Sequence, residues 1–306
     1  MISGIEGANG SFLADLNQIE NRMTQTNKQI TSGTRVNQAS DDPAAVANIL
    51  AYQNQIDQIT QVQANLNLAN NDATTADGAL QNASTILDQL ISLAAQGANV
   101  TATASSRATM GQQVQQLEQQ LVSIADTSIG GRYIFGGDDP STVPYTFDWT
   151  SPEGVVQNNT ASNTALLTDA SGNSIVPGMT AQQIFDQKNS DGTPAANNVF
   201  QAVYSLGQAL LANDQTGAAN AAVSLKTAAS QVEQATAYYG NTESWIQQAN
   251  TDASSRLTNL QQSLSGLRDT DVAAAATQLT LDQSALEAAL SAHASINNKS
   301  LFSYLG

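Results

Sequence analysis

The sequence predicts a mainly α-helical protein: an elongated helical bundle or coiled coil, built from the N- and C-terminal segments, with a small β-containing inserted domain. Two observations support this prediction. Apolar residues recur at alternating steps of four and three in both halves of the chain, which is the repeat of helices that pack along a seam. Five of the six prolines lie between Pro140 and Pro194, and helix interiors exclude proline.

The first helix is predicted to end near Gly33, because glycine readily adopts the left-handed conformation that closes a helix. Asp42 then offers an N-cap for the second helix, with Pro43 at its first position. The apolar stripe of the first helix is Phe12, Leu16, Ile19, Met23, Thr26 and Ile30.

Three further repeats predict the helical body. They run from Val62 to Ala94, from Met110 to Ile124 and from Leu225 to Leu267. In the last repeat Glu243 and Asn250 fall at seam positions, where they either need polar partners or show that the helix is rotated, with both at the rim.

Between these repeats, short apolar stretches alternate with turn sequences, which is typical of a small β insert. The predicted strands are 143–149, 155–157, 165–168 and 174–176, and a short helix is expected around 181–187.

The last helix carries its own apolar stripe, which neither terminal helix can bury alone, so the two termini are predicted to form a coiled coil. Its predicted stripe is Val272, Ala276, Leu279, Leu286 and Leu290. His293 falls at the same phase and is expected to be a packed or rim side chain rather than a pH switch.

The composition is polar without being charged. The 306 residues include 33 Gln and 27 Asn, whereas only 12% are charged and the net charge is −16. An acidic chain lacks the cationic surface that holds phosphate backbones, and its longest apolar run has five residues, so neither nucleic-acid binding nor membrane insertion is expected. With one His and no Cys, no catalytic residue, metal site or cofactor is expected, and the chain is predicted not to be an enzyme.

Two segments resemble a known family. The sequence TSGTRVNQASDDPA at 31–44 resembles the N-terminal signature of bacterial flagellins and their relatives. The sequence LRDTDVAA at 267–274, with Gln283, Ala285 and Leu286, resembles their C-terminal helix. GRYIFGG at 131–137 and the ending SLFSYL at 300–305 are more similar to the hook–filament junction branch of the family than to flagellin itself.

The resemblance implies a structural subunit that joins hook to filament by helical self- and hetero-assembly. It implies extracellular assembly in the flagellum after type III export, without a cleavable signal peptide. The implied partners are further copies of the chain, another hook-associated protein on the hook side, flagellin on the filament side and a cytoplasmic export chaperone. One alternative is a short flagellin that forms the filament itself. Another is an enzyme or ligand-binding module in 138–198, which the absence of His and Cys there disfavours.

The resemblance also implies a domain division. Segments 1–44 and 268–306 are expected to form a terminal-helix assembly domain that lines the inner tube, 45–137 and 199–267 a helical rod, and 138–198 an outer insert. Arg35, Asp41 and Asp42 either contact neighbouring subunits or act locally in the turn. In the local case Asp42 caps the second helix and Arg35 is solvated or paired with Asp41. The surface amides either form a solvated face or bond across subunits without the desolvation cost of charges. The expected assembly residues are Phe12, Leu16, Ile19, Met23, Ile30, Gly33, Arg35, Asn37, Asp41, Asp42, Leu279, Leu286, Leu290, Leu301, Phe302 and Leu305.

Overall fold

The computed structural model describes residues 2–305, with side chains over 10–295. The chain divides into two compact units: the first contains the chain up to Ile59 together with the chain from Ser255 onward, and the second is Thr60–Ser254. The helices are α1 (Ile2–Ser32), α2 (Pro43–Gly97), α3 (Ala104–Ala125), α4 (Ala181–Phe185), α5 (Val199–Leu211), α6 (Gln215–Arg268) and α7 (Val272–Leu305). The strands are β1 (Ser128–Ile129), β2 (Arg132–Tyr133), β3 (Tyr145–Phe147), β4 (Val155–Gln157), β5 (Leu167–Thr168) and β6 (Ser174–Ile175). The predicted class, mainly helical with a small β insert, is confirmed.

The predicted start and stop signals of the first two helices are also confirmed. Gly33 follows α1 with a φ of 70°, the left-handed conformation expected at that position. The Asp42 carboxylate accepts the N–H of Ala45 at 3.0 Å, and Pro43 is the first residue of α2.

In the first unit, α1 and α7 lie antiparallel. The Phe12 ring stacks on His293, Arg22 pairs with Asp282, and Thr34 forms a bridge with Asp269, so partner numbers fall on α7 as they rise on α1. The loops at this end also pair through the backbone, since the N–H of Arg35 donates to the carbonyl of Arg268 at 2.6 Å. Beside them a small apolar cluster contains Ala45, Ile49, Leu264, Val36, Tyr52, Ile56 and Leu267.

The second unit holds the main core, to which α2, α3, α5 and α6 all contribute. The repeat predicted for α2 is confirmed, because Leu66, Leu80, Leu87 and Leu90 are fully buried. Helix α5 packs along α3, and Phe200, Leu206 and Leu210 are its fully buried large side chains.

The long repeat on α6 is displaced by one residue at alternate positions. Leu225, Val232, Tyr239, Ile246 and Ala253 are buried as predicted. The positions between them are occupied by Ala228, Ala235, Thr242 and Ala249, not by Ala229, Thr236, Glu243 and Asn250. Glu243 and Asn250 are consequently half-buried beside the repeat, as a rotated helix requires. Asn250 donates to the Asn67 side-chain oxygen at 3.3 Å, whereas the Glu243 Oε1 atom is buried without a hydrogen-bond partner among the described residues.

The short strands form two-stranded antiparallel sheets: β1 pairs with β2 just before the predicted insert, and β3 pairs with β4 and β5 with β6 within it. The last two hairpins lie within the predicted strand regions. The β1–β2 hairpin was missed, although Gly130 and Gly131 both have positive φ, as its two-residue turn requires.

Tyrosines of α6 attach the insert to the helical body of the second unit. The Tyr238 hydroxyl donates to the carbonyl of Val176, and the Tyr239 hydroxyl accepts the N–H of Met179 at 3.0 Å. Burial raises the pKa of Tyr239, which stays protonated and able to donate as well. The predicted division into a terminal-helix assembly domain, a helical rod and an outer insert stays a prediction. The two compact units do not separate 138–198 from the helices around it, because that segment lies within the second unit.

Candidate assembly surfaces

The predicted apolar residues of α1 face α7. Phe12, Leu16, Ile19, Met23 and Ile30 are partly buried, and Thr26 between them is 7% exposed. These residues and the α7 face they contact are called the seam below. Because these large side chains are only partly buried, the seam provides modest apolar burial.

The seam residues on α7 differ from the predicted stripe. Leu279 and Leu286 belong to the seam, but Val272 and Leu290 are 50% and 49% exposed and Ala276 is also exposed. The stripe was placed wrongly because α7 carries apolar residues around much of its circumference, so leucines alone do not reveal its phase. The α7 side of the seam is Ala275, Leu279, Asp282, Leu286, Ala289 and His293.

Two seam residues on α7 are polar. Asp282, which the sequence did not identify, is 2% exposed and pairs with Arg22 at 3.0 Å. His293, predicted to be a packed or rim residue, is partly buried and stacks on Phe12 with ring centroids 4.0 Å apart. The side chains of Leu301, Phe302 and Leu305 lie outside the described residues.

The turn between α1 and α2 is held by its own polar groups. Asp41 accepts the backbone N–H groups of Asn37 and Gln38, and these bonds hold the pKa of its carboxyl below the usual value. Asn37 donates from its side-chain amide to the carbonyl of Thr34. Asp41 and Asn37 therefore shape the turn.

Arg35 pairs with Asp42 rather than with Asp41, at 3.0 Å, and also donates to the carbonyl of Leu267. The N–H of Ala45, and then Arg35, hold the pKa of Asp42 below its usual value. The predicted local role of Asp42 as a cap is confirmed, whereas contact with another subunit stays a prediction for both residues.

A polar cleft of about 260 Å³ lies between this turn and the adjacent part of α1. Amides and hydroxyls dominate its lining, with one cation and one carboxylate. The lining residues are Asn21, Thr24, Gln25, Lys28, Asn37, Gln38 and Asp41.

In the second unit, α2 and α3 enclose a groove of about 390 Å³ with half-buried Leu93 and Leu117 among glutamines. Its polar residues are uncharged: Gln89, Ser92, Gln96, Gln113, Gln116 and Gln120. Such a surface can bond to another protein without desolvating charges.

The net charge is concentrated in the second unit. Residues 60–254 hold sixteen of the 26 acidic residues but only four of the ten basic ones. Arg107 is buried against backbone carbonyls, and Arg132 and Lys188 pair with Asp72 and Asp186. The amide-lined groove is therefore uncharged within an otherwise acidic unit.

Buried carboxyls also lie in the second unit. Glu118 on α3 is fully buried, no group among the described residues hydrogen-bonds its carboxyl oxygens, and burial raises its pKa to about 9. Burial raises the pKa of Asp126 to about 6, and burial together with Asp186 raises that of Glu153 to about 7. No group of three or more acidic or histidine side chains able to hold a metal ion occurs over the described part of the chain. None of the described helices has the length and hydropathy needed to cross a bilayer.

Family models match the two helical regions separately. The model of the bacterial flagellin N-terminal helical region matches residues 8–139, and that of the C-terminal helical region matches residues 223–305. The chain belongs to the flagellin family. Residues 140–222 lie between the two matched regions, and they contain most of the predicted insert together with α5.

The chain is similar to two kinds of flagellar protein. It is 27% identical to flagellar hook-associated protein 3 of Escherichia coli K12, over 90% of both chains. It is 33% identical to the B-type flagellin of Pseudomonas aeruginosa, but over 42% of this chain and only 26% of that protein. The fold is similar to that of flagellar hook-associated protein 3 from Legionella pneumophila, with a TM-score of 0.62, 15% identity and coverage of 72% of this chain and 98% of that one.

Proposed function

We propose that this flagellin-family chain is a structural subunit of the bacterial flagellum that joins hook to filament by helical self- and hetero-assembly after type III export. The observation that supports this most strongly is the extent of similarity. The relationship to hook-associated protein 3 covers nine tenths of both chains, whereas the relationship to B-type flagellin covers a quarter of that flagellin.

We further propose that α1 and α7 form the inner part of the assembled tube. Their helix pair is supported by the seam, and the turn at 33–42 is held rigidly enough to present Arg35, Asn37, Asp41 and Asp42 to a neighbour. Gly33 belongs to this surface because its positive φ sets the direction in which the chain leaves α1.

Exposed apolar residues of α7 belong to the same proposal. Leu290 lies outside the seam at 49% exposure, so it is available for contact with another subunit, and Leu301, Phe302 and Leu305 extend this helix. In the helical rod, the amide-lined groove is proposed as a lateral contact.

The proposed partners are further copies of the chain, another hook-associated protein towards the hook, flagellin towards the filament, and a cytoplasmic chaperone before export. The proposed location is extracellular, and the role is structural rather than enzymatic. One competing function remains, because the terminal segments also resemble flagellin: the chain would be a short flagellin that forms the filament itself.

Seeded growth distinguishes the two functions. Purified chain is mixed with fragments of native filaments, and growth is followed by electron microscopy, with purified flagellin on the same fragments as the control. A junction subunit adds at most a short zone, whereas long filaments grown from this chain alone would establish the short flagellin.

A further inference from the structure

We propose that the turn between β3 and β4, residues 148–154, is a pH-sensitive clasp: it stays closed while Glu118 and Glu153 hold their protons and opens when they release them. The rest of the second unit keeps its fold in both states. Two contacts that depend on a carboxyl meet at this turn, one from α3 and one from the segment after α4.

The first contact is between the clasp and Glu118 on α3. The Glu118 side chain is fully buried, and both of its carboxyl oxygens lack a hydrogen-bond partner among the described residues. A Cβ atom added to Gly154 would approach the Oε1 and Oε2 atoms to 2.5 and 3.0 Å, so the backbone of the clasp lies directly on the carboxyl. Because Gly154 is buried while Pro152 is exposed, opening the clasp would admit water to this carboxyl.

The second contact is between Glu153, the residue before Gly154, and Asp186 after α4, whose side chains form a hydrogen bond. Asp186 is 1% exposed and also accepts the Tyr145 hydroxyl at 2.9 Å and the Asn198 amide at 2.8 Å. An ionised carboxylate has no hydrogen to donate, so two carboxyls can bond to each other only when one of them is protonated. The bond between Glu153 and Asp186 therefore requires a proton.

The charges around the clasp are mainly negative. The acids within it or beside it come from α3, from the residue after α3, from the clasp itself and from the segment after α4: Glu118, Asp126, Asp148, Glu153 and Asp186. The neighbouring phenols are Tyr145 on β3 and Tyr204 on α5. The cation of this group is Lys188, whose Nζ atom lies 3.1 Å from the Asp186 Oδ2 atom. One ammonium group cannot balance Asp186 together with ionised Glu118 and Glu153.

Burial determines the direction of the pH effect. It raises the pKa of Glu118 to about 9 and, together with the neighbouring Asp186, raises that of Glu153 to about 7. In the open clasp both groups meet water and their pKa values return towards the ordinary 4.5. The closed clasp therefore holds more protons. Its opening equilibrium constant rises by up to about tenfold per pH unit for each group, between the ordinary pKa and the raised one.

Trp149 lies in the clasp and reports on its opening. Its ring packs on Tyr204 with centroids 5.0 Å apart, and a Cβ atom added to Gly207 would approach it to 2.6 Å. The chain has one other tryptophan, Trp245, so Trp245→Phe leaves Trp149 as the single indole of the full chain. Its emission wavelength and its quenching by acrylamide are measured between about pH 5 and 9, with far-UV circular dichroism of the same samples.

The emission of Trp149 is expected to shift to the red and its quenching to increase as pH rises, while the helical signal stays unchanged. Glu118→Gln and Glu153→Gln each keep a neutral side chain that can donate a hydrogen bond, so each should weaken the pH dependence, and the double variant should remove it. Glu233→Gln, an exposed residue on α6, is the control and should behave as the parent does.

Hydrogen exchange provides a second measurement in the chain that keeps both tryptophans. The N–H groups of Asp148, Ser151 and Gly154 are hydrogen-bonded within the clasp. At alkaline pH they should exchange faster in the parent than in the double variant, and by a larger factor than the amides of α5. Three results would overturn the proposal: Trp149 emission that does not change with pH, a change that coincides with loss of the helical signal, or equal exchange of the clasp amides in the parent and the double variant.

Discussion

A single residue, Glu118, is expected to make the stability of the second unit depend on pH. Its carboxyl is fully buried on α3 and lies against Gly154 in the turn between β3 and β4, where a Cβ atom would approach the Glu118 Oε1 atom to 2.5 Å. Glycine is needed there for this close approach and for its φ of 72°. Because burial raises its pKa to about 9, this carboxyl is expected to be protonated at neutral pH.

The raised pKa of Glu118 predicts that the second unit loses stability as pH rises from 4.5 to about 9. The pKa of Glu118 is about 9 in the folded chain against 4.5 as its ordinary value, so the unfolded chain releases this proton first. Between these two pH values the folded state holds one more proton, and the free energy of unfolding should fall by about 1.4 kcal/mol per pH unit from this group. Glu118→Gln should make the measured slope shallower by that amount.

Thermal or denaturant unfolding at several pH values measures the slope. Glu233→Gln, an exposed residue on α6, is the matched control and should leave it unchanged. Asp126 and Glu153, whose pKa values are also raised, contribute in the same direction and keep a residual slope in Glu118→Gln. Equal slopes in the parent chain and Glu118→Gln would contradict this account.

Sequence reasoning succeeded at the residue scale where the backbone chemistry is local. The left-handed glycine after α1 and the Asp-Pro start of α2 follow from conformational preferences of those residues alone. Glu118 and Asp282 were missed because each is a charged residue at a buried helical position, where an apolar pattern gives no signal. Arg35 was expected to be solvated or paired with Asp41, but the Asp41 carboxylate is used by backbone N–H groups, which leaves Asp42 as the partner.

At the scale of elements, α7 shows why a terminal helix was harder to predict than the helices of the rod. The α2 repeat places leucines on one face, so its buried side was correctly identified. On α7 the apolar residues are spread around the helix, and Leu281 and Leu290 are 59% and 49% exposed while Ala275 is buried. On α6 the small residues on both sides of the seam allowed a displacement by one position.

The difference in exposure between Leu286 and Leu281 allows a matched pair of substitutions on α7. Leu286→Asp places an unpaired carboxylate in the partly buried seam and should open the α1–α7 pair, because the desolvation of that charge is not compensated. Leu281→Asp places the same charge on the exposed side and should leave the pair intact. Hydrogen exchange in the monomer should show loss of protection in α1 and α7 for Leu286→Asp only, with the second unit unchanged in both variants.

We also predict that the Leu286→Asp chain fails to enter the flagellum, whereas the Leu281→Asp chain keeps its helix pair. Normal incorporation of Leu286→Asp would show that the seam is not needed for assembly. Loss of protection in the second unit would show that the substitution acts on more than the helix pair.

For the whole molecule, the recurring property is a chain that is polar but sparsely charged, with the acidic residues mainly in residues 60–254 and an uncharged amide groove between α2 and α3. The mainly helical class followed from periodicity, and the two β hairpins at 145–157 and 167–175 followed from turn sequences. The β1–β2 hairpin did not, because two-residue strands are too short to show an alternating pattern. Surfaces that bind other subunits leave no periodic signal, which is why the proposed contacts rest on family resemblance and on exposed residues.

The central claim, that this chain joins hook to filament, is tested most directly by deleting its gene in the native bacterium. Electron microscopy of the cells and assay of filament protein in the medium are the readouts, with the intact gene restored as the control. The account predicts hooks without filaments, together with unpolymerised filament protein in the medium. Filaments still attached to hooks, or bare hooks with no filament protein in the medium, would contradict it, the latter because the chain would then be the filament subunit itself.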